Sequence, residues 1–371
     1  MVIKYQEFCM SDNLNNPLGT ERFAFVEFTS PRNADLLKLF RVMGFETVAH
    51  HKKRDIQLLR QGDIDFIINN DTAGQSTKFN AEHVSGGANA IGFKVKDAGH
   101  AFTEVLKRGA TPAKNHGGSM SDSVPAIEGI GGSLIYLIDN PDMYESDFDF
   151  IHGVEAKPKG MGLTYIDHLT HNVNKGNMEG WANFYEKFFN FHQQQFFDIN
   201  GNNGTGLLSM AMSGPCLELR IPLNEDKGTL GSEGQLGQID QYLEDFPGEG
   251  IQHIALGTND IYKTVEDLRN NGFEFLPTPK HQYYEQSDKR CEGHRENIPK
   301  LEELGILIDG AESEGILLQL FTKNVIGPVF FEVIQRKGNK GFGHGNFAAL
   351  FGTLEEMDLE NYRKRQTKQP S

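Results

Sequence analysis

An internal duplication constrains this chain more than any other feature. The segments IGFKVKDAGHAFTEVLKRGATPA, starting at Ile91, and IQHIALGTNDIYKTVEDLRNNGFEFLPTP, starting at Ile251, share a β segment, an acidic turn, a helix and a Gly-bounded exit to Pro. Their closing strands match too, GGSLIYLID lying against GPVFFEVIQ with Gly131 opposite Gly327. The same order precedes each of them. Arg22 to Phe28 alternates as a strand, Asn33 to Phe45 has helical spacing closed by Gly44, and three short strand candidates follow. Tyr165 to Val173 and the helix Trp181 to Phe189 open the other pair. A period this long with mixed elements is unsuited to a solenoid of short repeats. It predicts an α+β chain of duplicated βαβββ modules forming two open-barrel domains, over residues 20–155 and 161–351, with a C-terminal tail at 352–371. The polar stretch Glu155 to Gly160 is the expected linker. The second domain is longer because Thr278 to Gly315 intervenes, and that insertion is expected to cover something.

Composition narrows the chemistry. Lys+Arg 36 against Asp+Glu 51 gives a net charge of −15, which argues against a phosphate backbone or an anionic membrane surface as partner. No run of about 18 apolar residues occurs, and the N-terminus has no basic start leading into an apolar stretch, so a soluble cytoplasmic protein is the expectation. Three scattered cysteines, Cys9, Cys216 and Cys291, build neither a metal knuckle nor a disulfide framework. Phe 27 against Trp 1 makes phenylalanine the dominant aromatic.

The chemistry-bearing residues sit on equivalent strands. Alternation puts Ile166 and His168 on one face of their strand and Asp167, Leu169 and His171 on the other. Ile251, His253 and Ala255 share a face, as do Phe330, Glu332 and Ile334. A carboxylate inside VFFEVI is costly to bury unless it is paired or bound to a cation; the bland alternative is an exposed edge strand. A lone histidine is more often a satisfied core residue than a ligand. Two histidines and a carboxylate from three equivalent strands are another matter, because together they form the facial triad expected for non-haem Fe(II) with open coordination positions. The first half lacks the set: Tyr136 stands for Glu332, Phe93 approximately for His253, and only Glu27 near its first strand could ligate. One copy is expected to be catalytic and the other structural, its apolar positions free to serve as interface.

Glu128 to Leu134 mimics a glycine-rich phosphate cradle but leads into a strand and lacks the following Lys-Ser/Thr, so it reads as a turn. His50-His51, beside Lys52, Lys53 and Arg54, reads as a solvated turn, and His344 as rim.

The segments IDHLTHNV, WANFYEKFFNF, IPLNE, QIDQYL, GEGIQHIAL, LLQLFT, GPVFFEVIQRKG and GFGHGNFAALF resemble the 4-hydroxyphenylpyruvate dioxygenase family of the vicinal-oxygen-chelate (glyoxalase-like) superfamily. They cover most of residues 161–351, with a weaker match reaching back to about residue 20. The resemblance implies Fe(II) held by His168, His253 and Glu332. It implies Gln238, Gln319, Asn224 and Ser209 as substrate-orienting groups, and Gln252, Phe321, Phe330, Phe342, Asn346, Phe347 and Leu350 as pocket positions. Gln252 points away from His253's face on an ideal strand, so a direct role would need a local bulge.

The implied reaction converts 4-hydroxyphenylpyruvate and O2 to homogentisate and CO2 in tyrosine breakdown, in a homodimer or homotetramer. The small aromatic 2-oxo acid would fill two open metal positions and leave one for O2. The segment Asn346 to Arg363 resembles a helix that closes the pocket, and Gly352, costing about 1 kcal/mol relative to Ala, predicts a lid that frays beyond Phe351. Two alternatives stand beside this: a 4-hydroxymandelate synthase, against which Phe347 argues, and a metal-free binding or sequestration protein of the same superfamily. An extradiol ring-cleaving enzyme would need a further histidine with no evident counterpart here.

Overall fold

A computed structural model describes residues 2–7, 14–113, 117–140, 142–277 and 279–366; Cys9 and the last five residues of the tail lie outside them. After strand β1 (Val2–Glu7), the first half comprises β2 (Thr20–Thr29), α1 (Asn33–Val42), β3 (Glu46–His51), β4 (Ile56–Gln61), β5 (Ile64–Asn69), α2 (Gln75–Glu82), β6 (Gly87–Val95), α3 (Ala98–Lys107), β7 (Ala126–Glu128), β8 (Leu134–Ile138) and β9 (Phe148–Phe150). The second comprises β10 (Leu163–Val173), α4 (Met178–Phe189), β11 (His192–Asn200), β12 (Gly206–Ser213), β13 (Arg220–Asp226), α5 (Gln238–Asp245), β14 (Gly250–Thr258) and α6 (Ile261–Asn270). It continues through α7 (His281–Glu285), α8 (Ser287–Arg290), α9 (Ile298–Leu304), β15 (Leu307–Ala311), β16 (Gly315–Phe321), β17 (Phe330–Lys337) and α10 (His344–Gln366).

The duplication is visible in the ladders. In the first sheet, β7-β8-β6-β2-β5-β4-β3-β9, β2 runs parallel to β5 and antiparallel to β6, which runs parallel to β8. In the second, β1-β11-β12-β13-β10-β14-β17-β16-β15, strands β10, β13, β14 and β17 repeat those relations. The fold is the two-domain α+β vicinal-oxygen-chelate arrangement. The acidic turns shared by the repeats act as N-caps: the Asp97 side chain accepts from His100 N at 2.8 Å and Asp260 from Lys263 N at 3.1 Å. Gly109 (φ +97°) and Gly272 (φ +86°) leave the two helices in the left-handed region, where a side chain is strained.

Pairing corrects one equivalence. Phe330 lies beside His253 and Glu332 beside Ala255; Leu134 lies beside Ala90 and Tyr136 beside Gly92. The counterpart of His253 is therefore Ala90. Phe93 points to the other face and packs on Phe23, Phe189 and Phe191. In the first half Phe25, Ala90 and Tyr136 fill with apolar groups the place of the His/His/Glu set. Glu27 is fully buried, accepting from Asn69 and Asn89, each at 2.7 Å, and from the Ser119 hydroxyl.

The halves share one apolar core, in which Phe331 of β17 meets Phe28, Phe40 and Phe66 at centroid distances of 6.0–6.1 Å. Many apolar positions of the first half thus face the second. The Glu128–Leu134 turn is part of this contact: His83 bridges Gly131 O and Phe246 O, each at 2.8 Å. His50 and His51 end β3, ahead of the turn, and His51 Nδ1 accepts from the backbone N–H groups of Lys53 and Arg54.

The lid expectation needs correction. Helix α10 passes through Gly352 to Gln366 instead of ending near Phe351. Nothing lies within 4 Å of a Cβ built at Gly352, and one turn later the buried Glu355 accepts from Asn202 N (2.9 Å), Asn203 N (3.0 Å) and Thr205 Oγ1 (2.7 Å). Tertiary hydrogen bonds outweigh the propensity cost of one glycine. Among the described residues, no helix is long and apolar enough to cross a membrane.

Candidate metal centre

Three central strands of the second sheet converge at its concave face. β10 supplies His168, β14 supplies His253 and β17 supplies Glu332, and one ligand-type atom from each lies within 4.8 Å of the others. All three residues are buried. Glu332 Oε2 is 3.2 Å from His168 Nε2 and 3.6 Å from His253 Nε2. The irregularity in β10 between Ile166 and His168 turns the His168 ring inward, while His171 faces the other way and hydrogen-bonds the Tyr185 hydroxyl at 2.7 Å. Burial pushes His171 down to about 3, so it is a neutral core histidine.

The outer nitrogens of the two inward histidines fix their tautomers. His168 Nδ1 donates to Asp167 Oδ1 at 2.8 Å, and His253 Nδ1 donates to Gln252 Oε1 at 3.0 Å. The inner nitrogens turn to the site: His168 Nε2 faces Glu332 Oε2, and His253 Nε2 faces the Thr170 hydroxyl at 3.0 Å as well as Glu332 Oε2. Three acceptors meeting in a buried place suit a cation, and imidazole with carboxylate suits a first-row transition metal. Burial lowers His253 well below the ordinary histidine range, helped by the neighbouring His168. Burial works the same way on His168, but Glu332 and Asp167 overcome it and raise that ring. The field that raises His168 is the field a metal ion would occupy.

Behind His168 lies a buried ion cluster. Asp167 is fully buried and accepts from Arg336 Nε (2.6 Å) and Nη2 (2.8 Å), with Arg220 Nη1 at 3.8 Å. Burial would raise this carboxyl, yet the two guanidiniums and the His168 hydrogen bond hold it well below the usual carboxylate range. Arg336 Nη1 also donates to Gly341 O at 2.6 Å, in the loop carrying Phe342.

The centre opens into a small cavity of about 50 Å³. Of the positions expected from the sequence, Ser209, Asn224, Gln319, Phe321, Phe342, Phe347 and Leu350 line it with the triad. Others are placed differently. Gln252 lies behind the histidine it orients, and Phe330 stacks on the His253 ring at 4.7 Å and 21°. Asn346 is buried behind Gln319, donating to its Oε1 at 2.8 Å. Gln238 starts α5 and lines a separate hollow with Thr205, Gln235, Phe351 and Glu355. His344 is exposed at the start of α10 and stacks on Phe197.

Sequence reasoning missed Thr170, Phe197, Ala211 and Pro222, which complete the lining. Three of them lay two residues from a named position, His168, Ser209 and Asn224, so the alternation that selected the ligands would have found them. Among the described residues no Lys or Arg lines the cavity, and Asn224 Oδ1 is buried with no donor.

Comparison with known proteins bears on the family and the fold. Residues 14–151 match the family model for the N-terminal region of hydroxyphenylpyruvate dioxygenase, and residues 165–296 match the glyoxalase/bleomycin resistance protein/dioxygenase superfamily model. The chain is 47% identical to 4-hydroxyphenylpyruvate dioxygenase of Pseudomonas aeruginosa, over 93% of this chain and 96% of that protein. It is 48% identical to hemolysin VllY of Vibrio vulnificus, over 93% and 96%. A mutant of 4-hydroxymandelate synthase from Streptomyces coelicolor has the same fold at a TM-score of 0.76, with 23% identity over 91% of this chain and 99% of that one. A near-half identity sustained over both halves, with a buried two-histidine, one-carboxylate cluster at the mouth of the second, leads to one assignment: the chain belongs to the 4-hydroxyphenylpyruvate dioxygenase family of enzymes.

Proposed function

We propose that the chain is an Fe(II)-dependent 4-hydroxyphenylpyruvate dioxygenase, converting 4-hydroxyphenylpyruvate and O2 to homogentisate and CO2 in tyrosine breakdown. One observation carries this reading: two imidazoles whose outer nitrogens are hydrogen-bonded turn their inner nitrogens toward a buried carboxylate, beside a cavity walled largely by phenylalanines. Bound there by His168, His253 and Glu332, Fe(II) would supply Lewis acidity toward the 2-oxo acid and the redox chemistry that activates O2.

The chain's own groups do the rest. With no Lys or Arg among the described lining residues, the metal would supply the positive charge for the substrate's carboxylate. Ser209 and Asn224, paired across β12 and β13, present a hydroxyl and an amide at one wall, and the free Asn224 Oδ1 suits a phenolic O–H. Gln319 contributes a second neutral amide. Phe197, Phe321, Phe342, Phe347 and Leu350 exclude water, which strengthens these polar contacts and protects reactive species. A net charge of −15 gives no general attraction for an anion, so recognition is local.

The 4-hydroxymandelate synthase reading uses the same substrate and metal, and the shared fold keeps it in view. Phe347, set edge-on to Phe197 at 5.5 Å, narrows the cavity and favours the dioxygenase. Incubating anaerobically loaded protein with 4-hydroxyphenylpyruvate and admitting O2 separates the two. Homogentisate with one equivalent of CO2 is expected; 4-hydroxymandelate would assign the synthase, and no turnover of a metal-loaded protein would favour a sequestration role. We further infer a cytoplasmic homodimer or homotetramer, checked by light scattering after size exclusion.

A further inference from the structure

The insertion between α6 and β16 grips the start of the lid helix. Asp309 Oδ2 of β15 accepts from Gly345 N at 2.8 Å, and Tyr283 of α7 reaches Asn346 Oδ1 at 2.7 Å. The Arg290 guanidinium lies over the Tyr283 ring at 4.1 Å and donates to Ile308 O at 3.1 Å, fixing α7 and α8 against β15. From Tyr283 a chain of side-chain hydrogen bonds runs inward. Asn346 Nδ2 donates to Gln319 Oε1 at 2.8 Å, and Gln319 Nε2 donates to Glu332 Oε1 at 2.8 Å.

This chain has one consistent polarity. A carboxylate only accepts, so Gln319 must turn its NH2 toward Glu332 and its oxygen toward Asn346. Asn346 must then present its NH2 to Gln319 and its oxygen outward, which requires a donor at the far end. Tyr283 is that donor: Ile308 N–H donates to its oxygen at 2.9 Å, and of the two acceptors within reach of the phenolic proton, Asn346 Oδ1 at 2.7 Å is nearer than Ile308 O at 3.0 Å. Burial pushes the phenol upward from its ordinary value, so it remains a donor at any working pH. At the inner end the chain sorts the two oxygens of Glu332. Oε1 is taken by Gln319, and Oε2 is the one facing both histidines.

We propose that Tyr283 is a positioning residue which, through Asn346 and Gln319, makes Glu332 offer a single oxygen to the metal and couples that arrangement to closure of α10. The inference rests on Glu332 being a metal ligand, as proposed above. One-oxygen ligation keeps coordination positions open for substrate. Because the chain passes through the lid helix, metal binding and lid closure must favour each other reciprocally.

The test uses the full chain, wild type and Tyr283→Phe, without substrate or O2. Fe(II) affinity is measured by competition with a chromophoric chelator, and amide hydrogen exchange of residues 344–351 is followed with and without Fe(II). In wild type, Fe(II) should slow exchange in that segment. In Tyr283→Phe, Fe(II) should bind about fivefold more weakly, the factor worth one net hydrogen bond, and the metal-dependent slowing should shrink by a similar factor. Asn346→Asp, which keeps the acceptor for Tyr283 but removes the amine facing Gln319, should give the same two changes and serves if the first variant misfolds. Affinity and metal-dependent protection both within twofold of wild type would overturn the proposal. A wild-type chain that binds no Fe(II) would instead overturn the metal assignment beneath it.

Discussion

Asp167→Asn separates what the buried cluster contributes to folding from what it contributes to the metal site. Asp167 Oδ1 serves His168 Nδ1 and Arg336 Nη2, while Oδ2 serves Arg336 Nε with Arg220 farther off. Asparagine retains one acceptor. Placing its oxygen at the Oδ1 position keeps two hydrogen bonds and sets NH2 against Arg336 Nε; the flipped orientation keeps one and sets NH2 against His168. The first orientation is therefore favoured, and His168 keeps its tautomer but loses a charged partner. Removing one member of a buried pair costs about 3–5 kcal/mol, so urea unfolding of the metal-free variant should lose stability on that scale. Loss of charge on a group that orients a ligand weakens metal binding about 10- to 100-fold, and with the acceptor retained the lower end is expected, roughly 1.4 kcal/mol. Stability and Fe(II) affinity, measured separately at one pH, thus fall by unequal amounts. Unchanged stability, or a loss of affinity beyond a thousandfold, would refute this division of roles.

Two further predictions follow from buried carboxylates away from the metal. Glu355→Ala removes three hydrogen bonds that tie α10 to the β11–β12 connection, so limited proteolysis should cut α10 faster by the equivalent of about 2 kcal/mol; unaltered protection would show that the helix is held elsewhere. Asp226 is pushed up to about 6, chiefly by burial, and its Oδ2 has no donor. A carboxyl raised in the folded state stabilises below its unfolded value near 3.8 and loses that contribution as pH rises through about 6. Asp226→Asn should accordingly raise stability at pH 7 and flatten its dependence between pH 4 and 6, measured by urea unfolding across that window; an equally steep profile would exclude this group.

The His/His/Glu set was legible because each residue interrupts an apolar strand, although strict alternation breaks at register shifts in β10 and β14, so that Ile166 and Ile251, expected on the faces of His168 and His253, pack in the main core. The duplication was legible because capping aspartates and helix-ending glycines recur at matching places. What escaped was set by long-range pairing. The mismatch of Phe93 for Ala90 came from aligning strings, whereas equivalence is fixed by ladder partners. The pairing of β1 with β11 and the Arg336 grip on Asp167, 169 residues away, leave no local trace. Gln238 and Gln252 carry the right functional groups yet lie outside the cavity, since an amide near a site in sequence can as readily brace a ligand as meet a substrate. The continuity of α10 was misjudged because propensity at Gly352 said nothing of Glu355's partners.

The most direct test of the account is an anaerobic Fe(II) titration of wild type beside Glu332→Ala. One Fe(II) per wild-type chain, no high-affinity binding in a still-folded variant, and a weak visible band on adding 4-hydroxyphenylpyruvate to the loaded wild type are predicted. Absence of stoichiometric binding in wild type, or equal binding in Glu332→Ala, would contradict the proposal that His168, His253 and Glu332 form the catalytic metal centre.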